Sequence, residues 1–487
     1  MYRHILPTFL AGLSLAFVAI AQDSPSIQQP TDFKGVTLKN KAPISSDVLK
    51  VKFPKPTESK LKNGMDLLVL EEHRSPTISV EIHMPGSRLN DPREFEAVGG
   101  ATTSIMRLGT TTKDSKQIAE RIAELGAGLG VGGGERDFVL QFSTLTENLD
   151  AVLDLAMDIL FNPSFPQDEI DKWKNQQLAS ITQVRAQPSF LSTERFAALM
   201  YPDDGRAQVA PSADSVKKVT RDLIIEYYKK HFQPDGGYVA VIGDTTPKQI
   251  AAKLDKVLGT WNGPSTKPPD LVLPAQIAEK KIYLINRDNS VQTTFYMGNH
   301  AIDRVSPDYF AVTVLNRVLG GGPASRLFRN IREEKGYTYG ISSGFSSTHY
   351  FNHFAVQTSV RTEVTGPALE EILKEFRDIR DRPVPEDELT NAKRALIANF
   401  ALSTESAGTG LRNTVTVRDY GLPADYWDAY AEKISAVTAE DIQRVARKYV
   451  PVDNLQVIAV GDASKIREAL AKFGPIEEWD SEGHKIK

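Results

Sequence analysis

A repeated pattern of helix and strand segments constrains the fold of this 487-residue chain more than any other feature. The segment 165–170 (FPQDEI) returns as 384–389 (VPEDEL), and each copy is expected to open a long helix. The segment 238–244 (YVAVIGD) returns as 455–462 (LQVIAVGD), at the end of a buried strand. The copies lie about 218 residues apart. Self-similarity at a fixed separation is the sequence signature of a repeated structural unit.

The repeat predicts an α+β fold of two homologous domains produced by internal duplication, each a β-sheet covered by helices. Both halves mix strand hairpins with long helices, which is typical of an α+β sheet covered by helices. We place the N-terminal domain at residues 54–262 and the C-terminal domain at residues 280–487. Residues 263–279 are polar and rich in proline, which predicts a linker between the two domains.

The first residues have the composition of a targeting segment. Arg3 and His4 precede an apolar run over residues 5–20, and small residues up to Ala21 offer a cleavage site. The apolar run is too short for a good membrane span. We predict a signal peptide at residues 1–21, an extended arm at 22–53, and a mature protein that is periplasmic or secreted, without a stable membrane anchor.

Composition and three short patterns exclude other classes of function. A net charge of −4 and the lack of a basic run argue against nucleic acid as a partner. Residues 128–133 (GLGVGG) fit a dinucleotide motif but follow a helix, so a loop or glycine-rich edge strand is expected. Residues 340–344 (GISSG) continue into a strand, which excludes a nucleophile elbow. His349 and His353 would lie about 13 Å apart in an extended strand, too far to share one metal ion, and are predicted as surface residues.

Residues 319–340 (LGGGPASRLFRNIREEKGYTYG) predict a glycine loop, a short helix and the start of a strand. The three glycines permit backbone conformations with positive φ. The helix is expected over residues 324–335, because Gly336 is a typical residue just after a helix end. Arg332 and Tyr339 stand seven residues apart across that end. By pattern alone, they would be a solvated arginine and a half-buried strand tyrosine.

This stretch resembles the C-terminal half of zinc peptidases of the pitrilysin/insulinase family, which includes the mitochondrial processing peptidase. The match rests on the SRLF sequence at residues 325–328 and on the spacing between Arg332 and Tyr339, and the resemblance covers roughly residues 54–473. It implies two similar halves that face each other around a chamber, and an Arg332–Tyr339 pair that contacts the substrate backbone. It also implies substrate contacts for four residues of the loop and helix start: Gly320, Gly321, Gly322 and Ser325.

The zinc motif of that family is missing from this chain. Active members carry H-x-x-E-H on a helix, where two histidines bind the metal and the glutamate acts as general base. Here Gly100, Thr103 and Ser104 occupy the His, Glu and His positions. The position of the third ligand, a more distant glutamate, falls at or near Trp173. We therefore predict that this chain binds no metal or other cofactor and is inactive alone.

The resemblance leaves two hypotheses open. In the first, the chain is the non-catalytic subunit of an exported heterodimeric metallopeptidase whose homologous partner chain carries the zinc. Tyr339 would donate to the oxyanion of a peptide substrate, and Arg332 would orient Tyr339 or hold a substrate carbonyl. The peptide would bind as an added strand along a sheet edge. In the second, the chain is a degenerate homologue, a peptide-binding or structural component without a catalytic role; pairing with a second copy of itself is also open.

Overall fold

The computed structural model describes residues 51–202 and 204–486, and its backbone forms two six-stranded β-sheets that are each covered by helices. The described residues belong to one compact unit. The predicted signal peptide and all but the last three residues of the predicted arm lie outside the described residues. In those last residues, the backbone N–H of Phe53 donates to Asp428 at 2.7 Å, which fixes this point of the chain to the second half.

The first sheet has the strand order β1-β2-β6-β3-β5-β4. Its central strand β6 is buried at every residue, pairs in parallel with β2 and pairs antiparallel with β3. The strands are β1 (Thr57–Lys60), β2 (Asp66–Glu71), β3 (Thr77–Pro85), β4 (Gly128–Gly133), β5 (Asp137–Leu145) and β6 (Tyr238–Gly243).

The second sheet repeats this order as β12-β7-β11-β8-β10-β9. Its buried central strand β11 is again parallel to one neighbour, β7, and antiparallel to the other, β8. Only the strand at one edge differs, since β1 forms an antiparallel hairpin with β2 whereas β12 lies parallel to β7. The strands are β7 (Lys281–Asn286), β8 (Gln292–His300), β9 (Thr338–Ser347), β10 (Asn352–Arg361), β11 (Gln456–Gly461) and β12 (Ile476–Trp479).

The helices also fall into two comparable sets. The first half has α1 (Val98–Ile105), α2 (Ser115–Glu124), α3 (Leu149–Phe161), α4 (Gln167–Arg185), α5 (Pro188–Met200), α6 (Ala213–Lys218), α7 (Arg221–His231) and α8 (Pro247–Leu258). The second half has α9 (Tyr309–Leu319), α10 (Thr365–Asp381), α11 (Glu386–Ser403), α12 (Ala407–Asp419), α13 (Tyr430–Ala436), α14 (Ala439–Tyr449) and α15 (Ala463–Ala471). Within the described ranges, no helix is both long enough and apolar enough to cross a membrane.

The sequence repeat corresponds to matching helix starts. Helices α4 and α11 each begin directly after a proline, Pro166 and Pro385, whose fixed φ suits the residue that precedes a helix. Helices α7 and α14 are each capped by a threonine, Thr220 and Thr438, whose side chain accepts a hydrogen bond from a backbone N–H of the first turn. The duplicated α+β fold predicted from the repeat is therefore confirmed.

Each half donates one helix to the sheet of the other half. The face of the second sheet opposite its own core packs against α5, where the Phe196 ring lies 4.4 Å from the Tyr296 ring. The corresponding face of the first sheet packs against α12, where Leu411 belongs to one buried apolar cluster with Leu68 and Ile242. We call α5 and α12 the exchanged helices. They give each sheet a second covered face and join the halves.

The exchanged helix α5 differs from the sequence prediction. The sequence predicted one long helix after residues 165–170, but that helix, α4, ends at Arg185 and a second helix, α5, begins at Pro188. The residue before a proline is restricted away from helical conformation, and Gln187 accordingly has extended backbone angles. The break lets α5 leave the first half and reach the second sheet.

Candidate functional site

Strand β9 is the edge strand of the second sheet and contains a β-bulge at its start. Among the described strands it pairs with β10 alone, and its register shifts between the pair Ile341–Thr358 and the pair Thr338–Val360. Two residues of β9 therefore lie opposite one residue of β10, which is the defining feature of a bulge. Bulges redirect side chains and are frequent next to functional sites.

The bulge turns Tyr339 out to solvent. Strict alternation would place Tyr339 on the same face as Ile341, yet Tyr339 is 92% exposed and Ile341 is 5% exposed. The hydroxyl of Thr338 stabilises the bulge, because it accepts from the N–H of Gly340 at 3.1 Å and donates to the Ser359 carbonyl at 2.7 Å. The strand pattern predicted a half-buried tyrosine, and this prediction is wrong because of the bulge.

Arg332 lies on a widened helical turn. The chain is π-helical over Phe328–Glu334, instead of forming an α-helix from residue 324 as the sequence indicated. The N–H of Lys335 bonds to the carbonyl of Asn330, five residues back, at 3.0 Å. Gly336 then ends the turn with a positive φ of 62°, as predicted. Single π-helical turns occur frequently at functional sites because they reposition side chains.

The π-helical segment is tied to its neighbouring helices by charged and polar pairs. Arg326 forms a two-pronged pair with Glu388 of α11, with nitrogen–oxygen distances of 3.0 and 2.6 Å. Arg329 reaches the same carboxylate at 3.3 Å. Asn330 donates to Glu371 of α10 at 3.0 Å. These contacts fix the segment that carries Arg332.

Arg332 differs from the two arginines before it, because no carboxylate among the described residues pairs with it. Its guanidinium lies over two aromatic rings, 4.6 Å from the centre of Phe328 and 5.4 Å from that of Tyr339. Such contacts position a guanidinium but use none of its N–H donors. Arg332 and Tyr339 therefore form a contacting pair whose polar groups remain available to a ligand.

The glycine loop before this segment packs closely against β9. A Cβ on Gly320 would lie 2.6 Å from the backbone nitrogen of Ser343, whose N–H donates to the Gly320 carbonyl at 3.1 Å. Gly321 and Gly322 are half-buried, and Gly322 has a φ of 151°. Ser325 is 1% exposed and donates its hydroxyl hydrogen to the Gly322 carbonyl at 2.6 Å. In this chain, the Ser325 side chain thus shapes the loop.

The positions that would hold zinc offer no suitable ligand atoms. Gly100 and Ser104 are exposed on α1, and the hydroxyl of Thr103 donates back to the Gly100 carbonyl at 3.1 Å. Trp173 is buried on α4. None of these side chains has the imidazole, thiolate or carboxylate group that zinc prefers, so the metal does not fit here. Throughout the described ranges, no group of three or more His, Asp or Glu residues is placed to hold a metal ion.

Two buried titratable side chains near α1, Asp91 and His231, also favour their uncharged forms. Burial raises the pKa of Asp91 to about 7, although Tyr227 donates to its carboxyl at 2.7 Å. Burial lowers the pKa of His231, which stacks on Tyr227 at 4.1 Å, to about 4. A carboxyl that is ionised only about half of the time at pH 7 and an uncharged imidazole provide little attraction for a cation. The surroundings of α1 thus agree with its lack of ligands.

The two histidines expected on the surface of a strand are half-buried instead. His349 lies in the turn between β9 and β10, where Arg136 donates to its ring at 3.1 Å and Tyr420 stacks on it at 4.1 Å. His353 lies 3.2 Å from the Tyr201 hydroxyl, and burial lowers its pKa to about 4. The expectation was wrong because His353 contacts Tyr201 of the first half, and His349 contacts Arg136 of the first half and Tyr420 at the end of α12. A strand pattern cannot indicate such contacts.

The glycine-rich segment Gly128–Gly133 forms the edge strand β4, one of its two predicted states. Within the part of the chain that the structure describes, it pairs with β5 alone, and it occupies the same place in the first sheet as β9 in the second. An edge strand has free backbone N–H and carbonyl groups that can pair with another chain. Both sheets therefore end in an edge at which an extended peptide could add a strand.

Comparison with known sequences agrees with this architecture. The family description "Insulinase (Peptidase family M16)" matches residues 71–208, and "Peptidase M16 inactive domain" matches residues 218–396. Together these two matches cover well over half of the chain.

Individual relatives are distant but extend over most of the chain. An "Uncharacterized zinc protease" of Rickettsia felis is 25% identical over 395 residues, which cover 80% of this chain and 94% of the relative. The "Non-peptidase homolog YmxG" of Helicobacter pylori is 23% identical and covers 78% of this chain and 88% of the relative. The crystal structure of a peptidase M16 inactive domain from Pseudomonas fluorescens shares the fold, with a TM-score of 0.77 at 24% identity, covering 83% of this chain and 98% of that one.

Proposed function

Because this chain belongs to the M16, or insulinase, family of peptidases, we propose that it is the zinc-less subunit of an exported heterodimeric metallopeptidase. A homologous partner chain supplies the zinc and hydrolyses the peptide, and this chain contributes substrate binding and oxyanion stabilisation. The observation that carries the proposal is a contrast: the zinc positions on α1 hold no zinc ligands, whereas the Arg332–Tyr339 pair is present, with Tyr339 exposed and Arg332 half-buried beside its ring.

Tyr339 is suited to donate a hydrogen bond to the oxyanion that forms on the scissile carbonyl. Its ring is 92% exposed and its position is set by the bulge, so the hydroxyl can reach a substrate held by another chain. A donor of this kind contributes about 3 kcal/mol to transition-state stabilisation. The guanidinium of Arg332 lies beside the ring and can donate to a neighbouring substrate carbonyl.

The surroundings of the pair favour a catalytic over a purely structural role. The ion pairs of Arg326 and Arg329 with Glu388 hold the π-helical segment, and the Thr338 hydroxyl holds the bulge. Donors that are already fixed need no reorganisation when charge develops on the substrate. An exposed tyrosine and an arginine without a carboxylate partner add little to the stability of the fold. A role in binding substrate explains the presence of Arg332 and Tyr339 better.

The edges of the two sheets support peptides as the substrate class. An extended peptide could pair with β4 or β9 through backbone hydrogen bonds, which requires no particular side chains along the strand. Glycines at β4 leave room for a close approach of a second backbone. Export to the periplasm is part of the proposal and rests on the composition of residues 1–21.

The test is reconstitution with a zinc-bearing homologue. Tyr339→Phe keeps the ring and removes the hydroxyl, and should lower kcat by about 10² while heterodimer formation is unchanged. Tyr337→Phe is the matched control, because its hydroxyl makes no hydrogen bond with any described residue and lies only two positions away. Single-turnover cleavage and size-exclusion chromatography provide the two measurements.

Full activity of the Tyr339→Phe heterodimer would contradict the catalytic role and favour the alternative, a peptide-binding or structural component. The isolated chain should contain no stoichiometric zinc and cleave no peptide. One tightly bound zinc per chain by elemental analysis, or chelator-sensitive proteolysis by the isolated chain, would refute the zinc-less assignment.

A further inference from the structure

A cavity of about 470 Å³ in the second half shares no residue with the Arg332–Tyr339 pair. Its volume lies within the range of small-molecule sites in proteins. It lies between the loop before α9, the connection that follows α12, and helices α13 and α14. Six of its lining residues are aromatic or cationic: Arg304, Tyr309, Phe310, Tyr426, Lys433 and Arg444. We call it the aromatic-cationic cavity.

Arg304 is a buried cation without an anion. It is 7% exposed, and within the described part of the chain no carboxylate pairs with it. It donates to the Tyr426 hydroxyl at 2.8 Å, and its guanidinium lies 3.9 Å from the ring centre of Tyr309. Cation–π contacts stabilise a guanidinium only partly, and a desolvated charge is stabilised much better by an opposite charge. An anion bound in this cavity would therefore stabilise the charge of Arg304.

Lys433 adds a second cation of the same kind. Its ammonium nitrogen lies 5.1 Å from the ring centre of Phe310 and 5.3 Å from that of Tyr426. Of the described carboxylates, none forms an ion pair with it. Unlike Arg304, Lys433 is exposed, so it can be substituted without disturbing the core. The two cations border one shared aromatic ring, that of Tyr426.

The remaining charges keep the cavity positive but limit its anion capacity. Arg444 bonds to Asp308 at 2.5 Å and to Asp441 at 3.3 Å, and Asp441 is the one carboxylate among the lining residues. The first turn of the helix α9 also borders the cavity and contributes a positive potential. Arg444 is thus already paired, and the three cations stand beside two carboxylates, Asp308 and Asp441, which favours a ligand with a single negative charge over a dianion.

We propose that the aromatic-cationic cavity binds a carboxylate that is attached to a flat apolar group. The carboxylate accepts from Arg304, whose planar fork matches carboxylate geometry, and is attracted by Lys433. The flat group packs against the rings of Tyr309 and Phe310. Two sources share this chemistry, a free aromatic carboxylic acid and an aromatic residue at the carboxyl end of a peptide.

Calorimetric titration of the mature chain with four probes tests the ligand class. The probes 3-phenylpropionate and N-acetyl-phenylalanine carry both ring and charge, N-acetyl-phenylalanine amide lacks the charge, and acetate lacks the ring. At least one of the first two should bind about tenfold more tightly than the amide and acetate. Tighter binding of N-acetyl-phenylalanine identifies the peptide end as the source, and tighter binding of 3-phenylpropionate identifies a free acid.

Lys433→Gln locates the binding to this cavity. It should weaken the preferred probe about five- to tenfold, whereas Lys172→Gln, an exposed lysine on α4, should leave the affinity unchanged. The proposal is overturned if neither acid binds, if the amide binds as tightly as its acid, or if Lys433→Gln has no effect. None of these outcomes depends on peptidase activity, so the result is independent of the proposed function.

Discussion

The two halves of this chain have nearly the same strand order but different chemistry at corresponding places. In the first half, α1 has Gly100, Thr103 and Ser104 where active relatives are expected to bind zinc, and edge strand β4 is largely glycine. In the second half, edge strand β9 carries the exposed Tyr339 next to Arg332. The duplicated core is therefore preserved where the chemistry is not, because packing depends on the apolar faces and function depends on a few placed side chains.

The exchanged helices make the two halves depend on each other. Each sheet depends on its own helices for one face and on a helix from the other half for the opposite face. The first half, whose zinc positions hold no zinc ligands, is therefore still needed to support the sheet that carries Tyr339. This dependence offers a physical reason for the retention of the first half.

The largest expected effect comes from truncating the exchanged helices. Phe196→Ala on α5 and Leu411→Ala on α12 remove buried side chains, which costs about 2–5 kcal/mol of unfolding free energy. Hydrogen exchange should accelerate most in the opposite half: in β8 and β11 for Phe196→Ala, and in β2 and β6 for Leu411→Ala.

Leu402→Ala is the control for both substitutions, because Leu402 is 66% exposed and should change stability by less than about 0.5 kcal/mol. Faster exchange confined to the half that contains the substitution would show that the exchanged helices do not couple the sheets.

Two histidines on the sheets differ in a way that pH can reveal. Burial lowers the pKa of His83 on β3, but its bonds to Asp137 at 2.5 Å and Glu81 at 3.1 Å outweigh burial and raise the pKa to about 9. Burial, aided by the neighbouring His300, lowers the pKa of His353 on β10 to about 4. The first histidine is therefore held charged and the second is held neutral.

The next prediction concerns the free energy of unfolding as a function of pH, in which His83 of the first half shapes the alkaline side and His353 of the second half shapes the acid side. His83 stabilises the fold below pH 6.5, and this contribution is lost as pH rises through about 9. His353 must stay neutral, so its unfavourable protonation destabilises the fold as pH falls from 6.5 to about 4. Each effect amounts to at most about 3 kcal/mol.

Chemical unfolding at a series of pH values checks this assignment. His83→Gln should lower the unfolding midpoint at neutral pH and flatten the alkaline limb. His353→Gln should reduce the slope of the acid limb alone, and the exposed His484→Gln should alter neither. Unchanged limbs in both buried variants would mean that these histidines do not titrate as their surroundings indicate.

The features that the sequence could predict are local or repeated. Short segments that recur in the sequence predict the helix starts after Pro166 and Pro385 and the buried strands β6 and β11. The duplication could therefore be predicted from the sequence. The exchanged helices could not be predicted, because the cluster that joins Leu411 to Leu68 brings together residues more than 300 positions apart in the sequence. At the site, the spacing of Arg332 and Tyr339 was visible, but the bulge and the pairing of Arg326 with Glu388 arise only from tertiary contacts.

The smallest expected effect compares one glycine from each half. A Cβ on Gly100 would meet nothing within 4 Å, so Gly100→Ala should stabilise α1 by about 0.5–1 kcal/mol through its better helix propensity. A Cβ on Gly320 would lie 2.3 Å from the side-chain oxygen and 2.6 Å from the backbone nitrogen of Ser343. Gly320→Ala should therefore push β9 away and destabilise the fold by about 1–3 kcal/mol.

The opposite signs of these two substitutions separate a helix without zinc ligands at the family's metal positions from a loop that packs against the strand of Tyr339. Urea unfolding midpoints should rise for Gly100→Ala and fall for Gly320→Ala. In the reconstituted heterodimer, Gly100→Ala should leave cleavage unchanged, whereas Gly320→Ala should slow it, because Gly320 contacts Ser343 on the strand that carries Tyr339. Loss of cleavage in the Gly100→Ala variant would assign α1 a role in the peptidase that its present side chains do not indicate, and it would remove the contrast between the halves.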